Sequence, residues 1–169
     1  MNSRQASQMK LWVRGLFEEL GYEDVRTYLQ SGNVVFEGKS STSKKLAAEI
    51  EGALAKAFKP GISVIVRTHR ELERVASGNP FPTKGVKPFL LHVMFLAGPA
   101  SAKTIKTLDP DRSSPDEFEV KGREIYLRFP NGSGRSKLTI DYFEKKLGTK
   151  ATARNWNTVS KLLELMQRS

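Results

Sequence analysis

The chain has 169 residues, 38% of them hydrophobic, with 28 Lys and Arg against 18 Asp and Glu, which is enough apolar material for one domain or two small ones with their own cores. Cysteine is absent and the two histidines, His69 and His92, stand far apart. Disulfides, thiolate nucleophiles and thiolate zinc sites are therefore excluded, and neither a metal nor a cofactor is expected.

Met9, Trp12, Val13, Leu16 and Leu20 recur at helical spacing before Gly21, so residues 8–20 read as an amphipathic helix behind a polar tail. Residues 25–30 and 33–37 are rich in β-formers and joined across Ser31-Gly32, which suits a hairpin. Leu46, Ile50, Ala53, Leu54 and Ala57 mark a second helix, with Ser41 or Thr42 as its cap and Pro60-Gly61 at its end. Residues 62–67 read as a strand and 69–77 as a third helix. Prolines and glycines then mark 78–88 as a connector.

The nearly unbroken apolar run at 89–96 predicts a central strand buried on both faces, with His92 as a hydrogen-bonded core histidine. A helix near 101–108 and an acidic loop through Asp109 and Pro115 lead to a second hairpin, 118–121 with 124–129. Residues 131–137 then open a helix with Leu138, Ile140, Phe143 and Leu147 on its apolar side and Gly148 at its end. A short extended stretch at 152–156 precedes a closing helix, for which Asn157 is a cap.

The two halves share the order helix, two-stranded hairpin, helix, strand, and the second adds a leading strand. The expected class is α+β, with two related ferredoxin-like (split βαβ) units, the first missing its opening strand. The expected boundaries are 1–77 for the first unit, 78–88 for the connector and 89–169 for the second unit with its closing helix.

Chemistry concentrates in the basic C-terminal third. Residues 121–169 hold 11 basic and 4 acidic side chains. Within it, Asn131, Gly132, Ser133, Gly134, Arg135, Ser136 and Lys137 place two glycines, two hydroxyls and two cations before a helix, the ingredients of a backbone anion seat. Two readings stand: amides of 132–136 holding a phosphate, or a flexible connection with Ser136 as N-cap. The spacing is not that of a Walker A loop. Arg154 and Asn155 have no evident structural task and join the anion-binding set, with Arg128 a further contact. Trp156 is either a stacking face or a core anchor. Tyr28, Gln30, Ser31 and Asn33 are polar for a buried hairpin and are expected to line a cleft, unless turn chemistry alone accounts for them.

These residues resemble the domain of unknown function 1697 family of uncharacterised bacterial proteins, from about Met9 to Met166. The resemblance is carried by Arg26-Thr27-Tyr28-Leu29-Gln30-Ser31-Gly32-Asn33-Val34-Val35-Phe36, Asn79-Pro80-Phe81, His92-Val93 with Phe95-Leu96, Pro130-Asn131-Gly132 through Arg135-Ser136-Lys137-Leu138, and Thr152-Ala153-Arg154-Asn155-Trp156-Asn157-Thr158-Val159. It implies two related ferredoxin-like units and brings no established activity. Family members typically open with a hydrophobic strand leading to an Arg-Gly-Ile-Asn-Val-Gly-Gly-like segment, which this sequence lacks before Met9.

The expected function is a non-catalytic module that binds a polyanion, nucleic acid first among them, through the basic half. The alternatives are an enzyme or sensor for a small phosphorylated metabolite at the glycine loop, with Ser31 or Ser136 as nucleophile, and a truncated member without activity. A homodimer through exposed sheet edges is also expected. No apolar run reaches the roughly 18 residues of a membrane span and the N-terminus lacks a signal-peptide core, so the expected location is the cytoplasm.

Overall fold

The computed structural model describes residues 2–28 and 31–167. The chain divides into two compact units, residues 1–66 with 161–169, and residues 67–160. Each combines helices with an antiparallel sheet, so the class is α+β. The grouping differs from the expected one: the third helix and the connector fall in the second unit, and the end of the closing helix falls in the first.

The first unit opens with α1 (Ser3–Glu19). Its polar first turn is helix rather than tail. The Asn2 side chain accepts from the Gln5 amide at 2.9 Å, and the Gln5 side chain accepts from the Asn2 amide at 3.0 Å. This reciprocal cap satisfies two donors that a helix start otherwise leaves orphaned. Val13 and Phe17, one turn apart, are buried with Tyr22, Val25 and Ile50. Met9, Trp12 and Phe58 stay partly exposed beside a groove of about 570 Å³.

The hairpin joins β1 (Glu23–Tyr28) to β2 (Asn33–Glu37), pairing Arg26 with Val35, Thr27 with Val34 and Tyr28 with Asn33. Gly32 takes φ 70° in the turn, where a Cβ would be strained. Helix α2 (Ser43–Ala57) is capped by Thr42, whose hydroxyl accepts from the Lys45 amide at 3.2 Å. The 62–67 stretch, expected as a strand, enters neither sheet. One reason is local: the Val64 amide, which a neighbouring strand would need, donates to the Glu51 carboxylate at 2.8 Å.

The second unit starts at Arg67 and α3 (His69–Ser77), then passes through a 3-10 turn at Pro88–Leu90 into β3 (Leu91–Leu96). The short α4 (Ala102–Ile105), β4 (Glu117–Lys121), β5 (Glu124–Arg128), α5 (Ile140–Leu147) and β6 (Ala151–Asn155) follow. The last helix, α6 (Trp156–Gln167), leads back into the first unit. The strand order is β4-β5-β3-β6, and every neighbouring pair is antiparallel.

As expected, β3 is central and buried, with Leu91, Val93 and Leu96 fully enclosed. On one sheet face Met94, Leu96, Ile125 and Leu127 pack with Leu138, Phe143 and Leu147. From the other face the Tyr126 hydroxyl donates to the Val75 carbonyl of α3 at 3.0 Å, and burial pushes its pKa up to about 12. Buried Arg67 pairs with Glu124 at 3.1 Å and donates to the carbonyls of Leu96 at 2.7 Å and Arg123 at 3.1 Å. Glu71 caps α3 with one carboxylate oxygen and pairs with Arg123 through the other at 2.6 Å. The start of α3 is thereby fixed to the β4–β5 turn.

Candidate basic site at the glycine loop

Residues 129–139 connect β5 to α5. Gly132 adopts φ 86°, and its amide donates to the Phe129 carbonyl at 3.0 Å. The Ser136 amide donates to the Ser133 carbonyl at 3.2 Å, the Lys137 amide to Ser113 Oγ at 3.0 Å and the Leu138 amide to Ser136 Oγ at 3.1 Å. The cap of α5 is Thr139, which accepts from the Tyr142 amide at 3.2 Å. These bonds correct the expected seat on two counts. The amides of Gly132 and Ser136 are already spent on the protein's own oxygens, and the helix starts too late for Ser136 to cap it. Among the described residues, the amides of Ser133, Gly134 and Arg135 have no acceptor in the chain.

The loop is held by a segment that sequence reasoning passed over. Ser113 Oγ donates to the buried Asp116 carboxylate at 2.8 Å while receiving the Lys137 amide and, at 3.3 Å, the Ser136 hydroxyl. Next to it, Arg112 donates to the Lys137 carbonyl at 3.0 Å and lies over the Tyr142 ring, 4.0 Å from its centroid. The Tyr142 hydroxyl accepts from the Asp109 amide at 2.9 Å, which fixes the ring beneath the guanidinium. A stacked guanidinium with one backbone bond keeps donors free for a ligand. Arg112, Arg135 and Lys137 are exposed, and among the described residues no carboxylate pairs with any of them. Nothing in the local sequence flags Arg112. Its place depends on contacts across 25 residues of chain.

Other expected site residues have structural tasks. Arg154 on β6 donates to Thr152 Oγ1 at 2.6 Å and to the Ala153 carbonyl at 2.8 Å, and burial lowers its pKa from the ordinary guanidinium value. Asn155 accepts from the Thr158 amide at 3.0 Å and so caps α6, the role expected of Asn157. Trp156 opens that helix, partly buried. Arg128 is paired with Glu117 at 2.9 Å.

In the first unit, the Asn33 side chain donates to the Tyr28 carbonyl at 3.1 Å and to Ser31 Oγ at 2.8 Å, which is turn chemistry. Gln30 lies outside the described residues. His92 approaches the Phe89 carbonyl at 3.2 Å, and burial outweighs that bond to hold its pKa below the usual histidine value. Ser136 directs its proton to another hydroxyl, and the relay ending at Asp116 contains no imidazole or amine to act as a base.

Among the described residues, no helix is long and apolar enough to cross a membrane. No curated protein matches the sequence. The fold is similar to that of the conserved bacterial protein SP0830 from Streptococcus pneumoniae, with a TM-score of 0.64 and 17% identity over 92% of this chain and 87% of that one. At that identity the likeness concerns the fold alone. A sequence model for proteins of unknown function, DUF1697, matches residues 3–126. That span takes in α1 to α3, β3 and β4, ends within β5, and stops short of the glycine loop. A match over most of the chain means that the protein belongs to the DUF1697 family.

Proposed function

We propose that the second unit is a non-catalytic binding module that contacts a polyanion, nucleic acid first among them, through Arg112, Arg135 and Lys137 around the glycine loop. One observation carries the reading: these three exposed cations, without carboxylate partners among the described residues, border a single loop where the Ser133, Gly134 and Arg135 amides have no acceptor, whereas Arg67, Arg123 and Arg128 of the same unit are paired with Glu124, Glu71 and Glu117. Unpaired cations on an open loop suit a phosphate backbone, and the amides of 133–135 add donors to it. Anisotropy titration of a labelled oligonucleotide at low salt tests the proposal. Combining Arg112→Ala, Arg135→Ala and Lys137→Ala should weaken binding at least tenfold, and unchanged affinity sinks it.

The hydroxyls of Ser113 and Ser136 beside the same loop support a second reading, a small phosphorylated ligand. Thermal shift with inorganic phosphate and nucleotides separates the two. Stabilisation by one compound without oligonucleotide binding favours the second.

We also infer that the two units are related ferredoxin-like, split βαβ repeats. The reading is supported by the β-α-β-β-α-β order from β3 to β6, by the strand order β4-β5-β3-β6, and by the matching helix, hairpin, helix order of the first unit.

A further inference from the structure

We infer that the free edge of β2 is a self-association surface, on which β2 of a second copy pairs antiparallel. A sheet edge exposes unpaired backbone groups that template another chain, and proteins blunt such edges with bulges, charges or covering side chains. Among the described residues, three of the four sheet edges are blunted. β1 is bulged, with Asp24 at φ 46°, and Arg26 beside it donates to the Leu165 carbonyl. β4 alternates Glu117, Glu119 and Lys121 along one face. On β6, the Arg154 guanidinium lies along its own strand and donates to the Ala153 carbonyl.

β2 has no such device. Val34, Val35 and Phe36 run unbroken between Asn33 and Glu37, without proline, lysine or bulge. Beyond the ladder with β1, the backbone of residues 34–37 has no partner among the described residues. The strand is also complementary to itself. Antiparallel pairing centred on Val35 sets Val34 against Phe36 and Glu37 against Asn33, so aromatic and β-branched side chains meet and no like charges do. Such pairing is isologous and closes as a two-fold dimer. Five residues of edge bury little area, so association is weak and concentration-dependent. The surface lies in the first unit, and its test is independent of the polyanion reading.

Sedimentation equilibrium and amide hydrogen exchange on the unmodified chain, each over a concentration series, test the inference. A monomer–dimer equilibrium is expected, with exchange within 34–37 slowing several-fold as concentration rises. Because the chain has no cysteine, Val35→Cys places a single thiol on the two-fold axis. Oxidation should link it into a disulfide dimer, while Lys121→Cys on the β4 edge stays monomeric. A chain that remains monomeric with unchanged exchange overturns the inference, as does linkage through Lys121→Cys alone. Protection that persists at every dilution on those amides of 34–37 that do not bond to β1 shows the edge filled within the chain and overturns it too. If Val35→Cys does not fold, the exchange measurement decides.

Discussion

Single side chains here gain their roles from tertiary partners, and that separates what was legible from what was not. Arg154 and Asn155 look idle in the sequence because their acceptor and donor appear only when the chain folds into β6 and α6. Arg67 is the clearest case: an ordinary basic residue in the sequence that, once folded, is buried, pairs with Glu124 and donates to the Leu96 and Arg123 carbonyls. Arg67→Met strands the Glu124 carboxylate and should cost about 3 kcal/mol in urea unfolding, with much of the loss recovered by adding Glu124→Met. A loss below about 1 kcal/mol contradicts the buried pair. His92 predicts a pH dependence. Burial holds its pKa below the usual histidine value in the folded chain, so on acidification the unfolded chain takes the proton first. Its contribution to stability is present above the unfolded pKa and is lost as pH falls through the folded one. The drop in thermal midpoint from about pH 7 to 5 should shrink in His92→Gln; an equal drop in both proteins refutes this.

At the scale of elements, apolar spacing located most helices and strands, and the errors cluster where a polar bond decides. The Thr42 cap of α2 and the limits of α3 were readable because cap and apolar stripe are local. The start of α1 is not legible locally, because Asn2 and Gln5 cap each other in a stretch whose polarity reads as a tail. The 62–67 strand was expected from its β-formers, but the Val64 amide goes to Glu51. In the same way the glycine loop was joined to α5 too early, because the hold of Ser113 on Lys137 leaves no trace in local sequence. Two substitutions test the assigned ends. Asn155→Ala should cost about 1 kcal/mol and Asn155→Asp much less, with oligonucleotide affinity unchanged in both. A fall in affinity would return Asn155 to the binding set. Gly148 ends α5 at φ 68°, so Gly148→Ala should cost about 1 kcal/mol in thermal unfolding although nothing lies near the added methyl.

For the molecule as a whole, the uneven charge was plain from the start, but which cations are free was not. Ion pairs occupy Arg67, Arg123 and Arg128 of the second unit, whereas Arg112, Arg135 and Lys137 are without carboxylate partners among the described residues and gather at one loop. The most direct test of this account is the salt dependence of oligonucleotide binding, compared between the native chain and the variant lacking all three cations. Each cation that neutralises a phosphate of a single strand adds about −0.7 to the slope of log affinity against log salt. The native slope should therefore be steeper by about 2 than that of the variant. Equal slopes, or no binding by the native chain even at low salt, would contradict it.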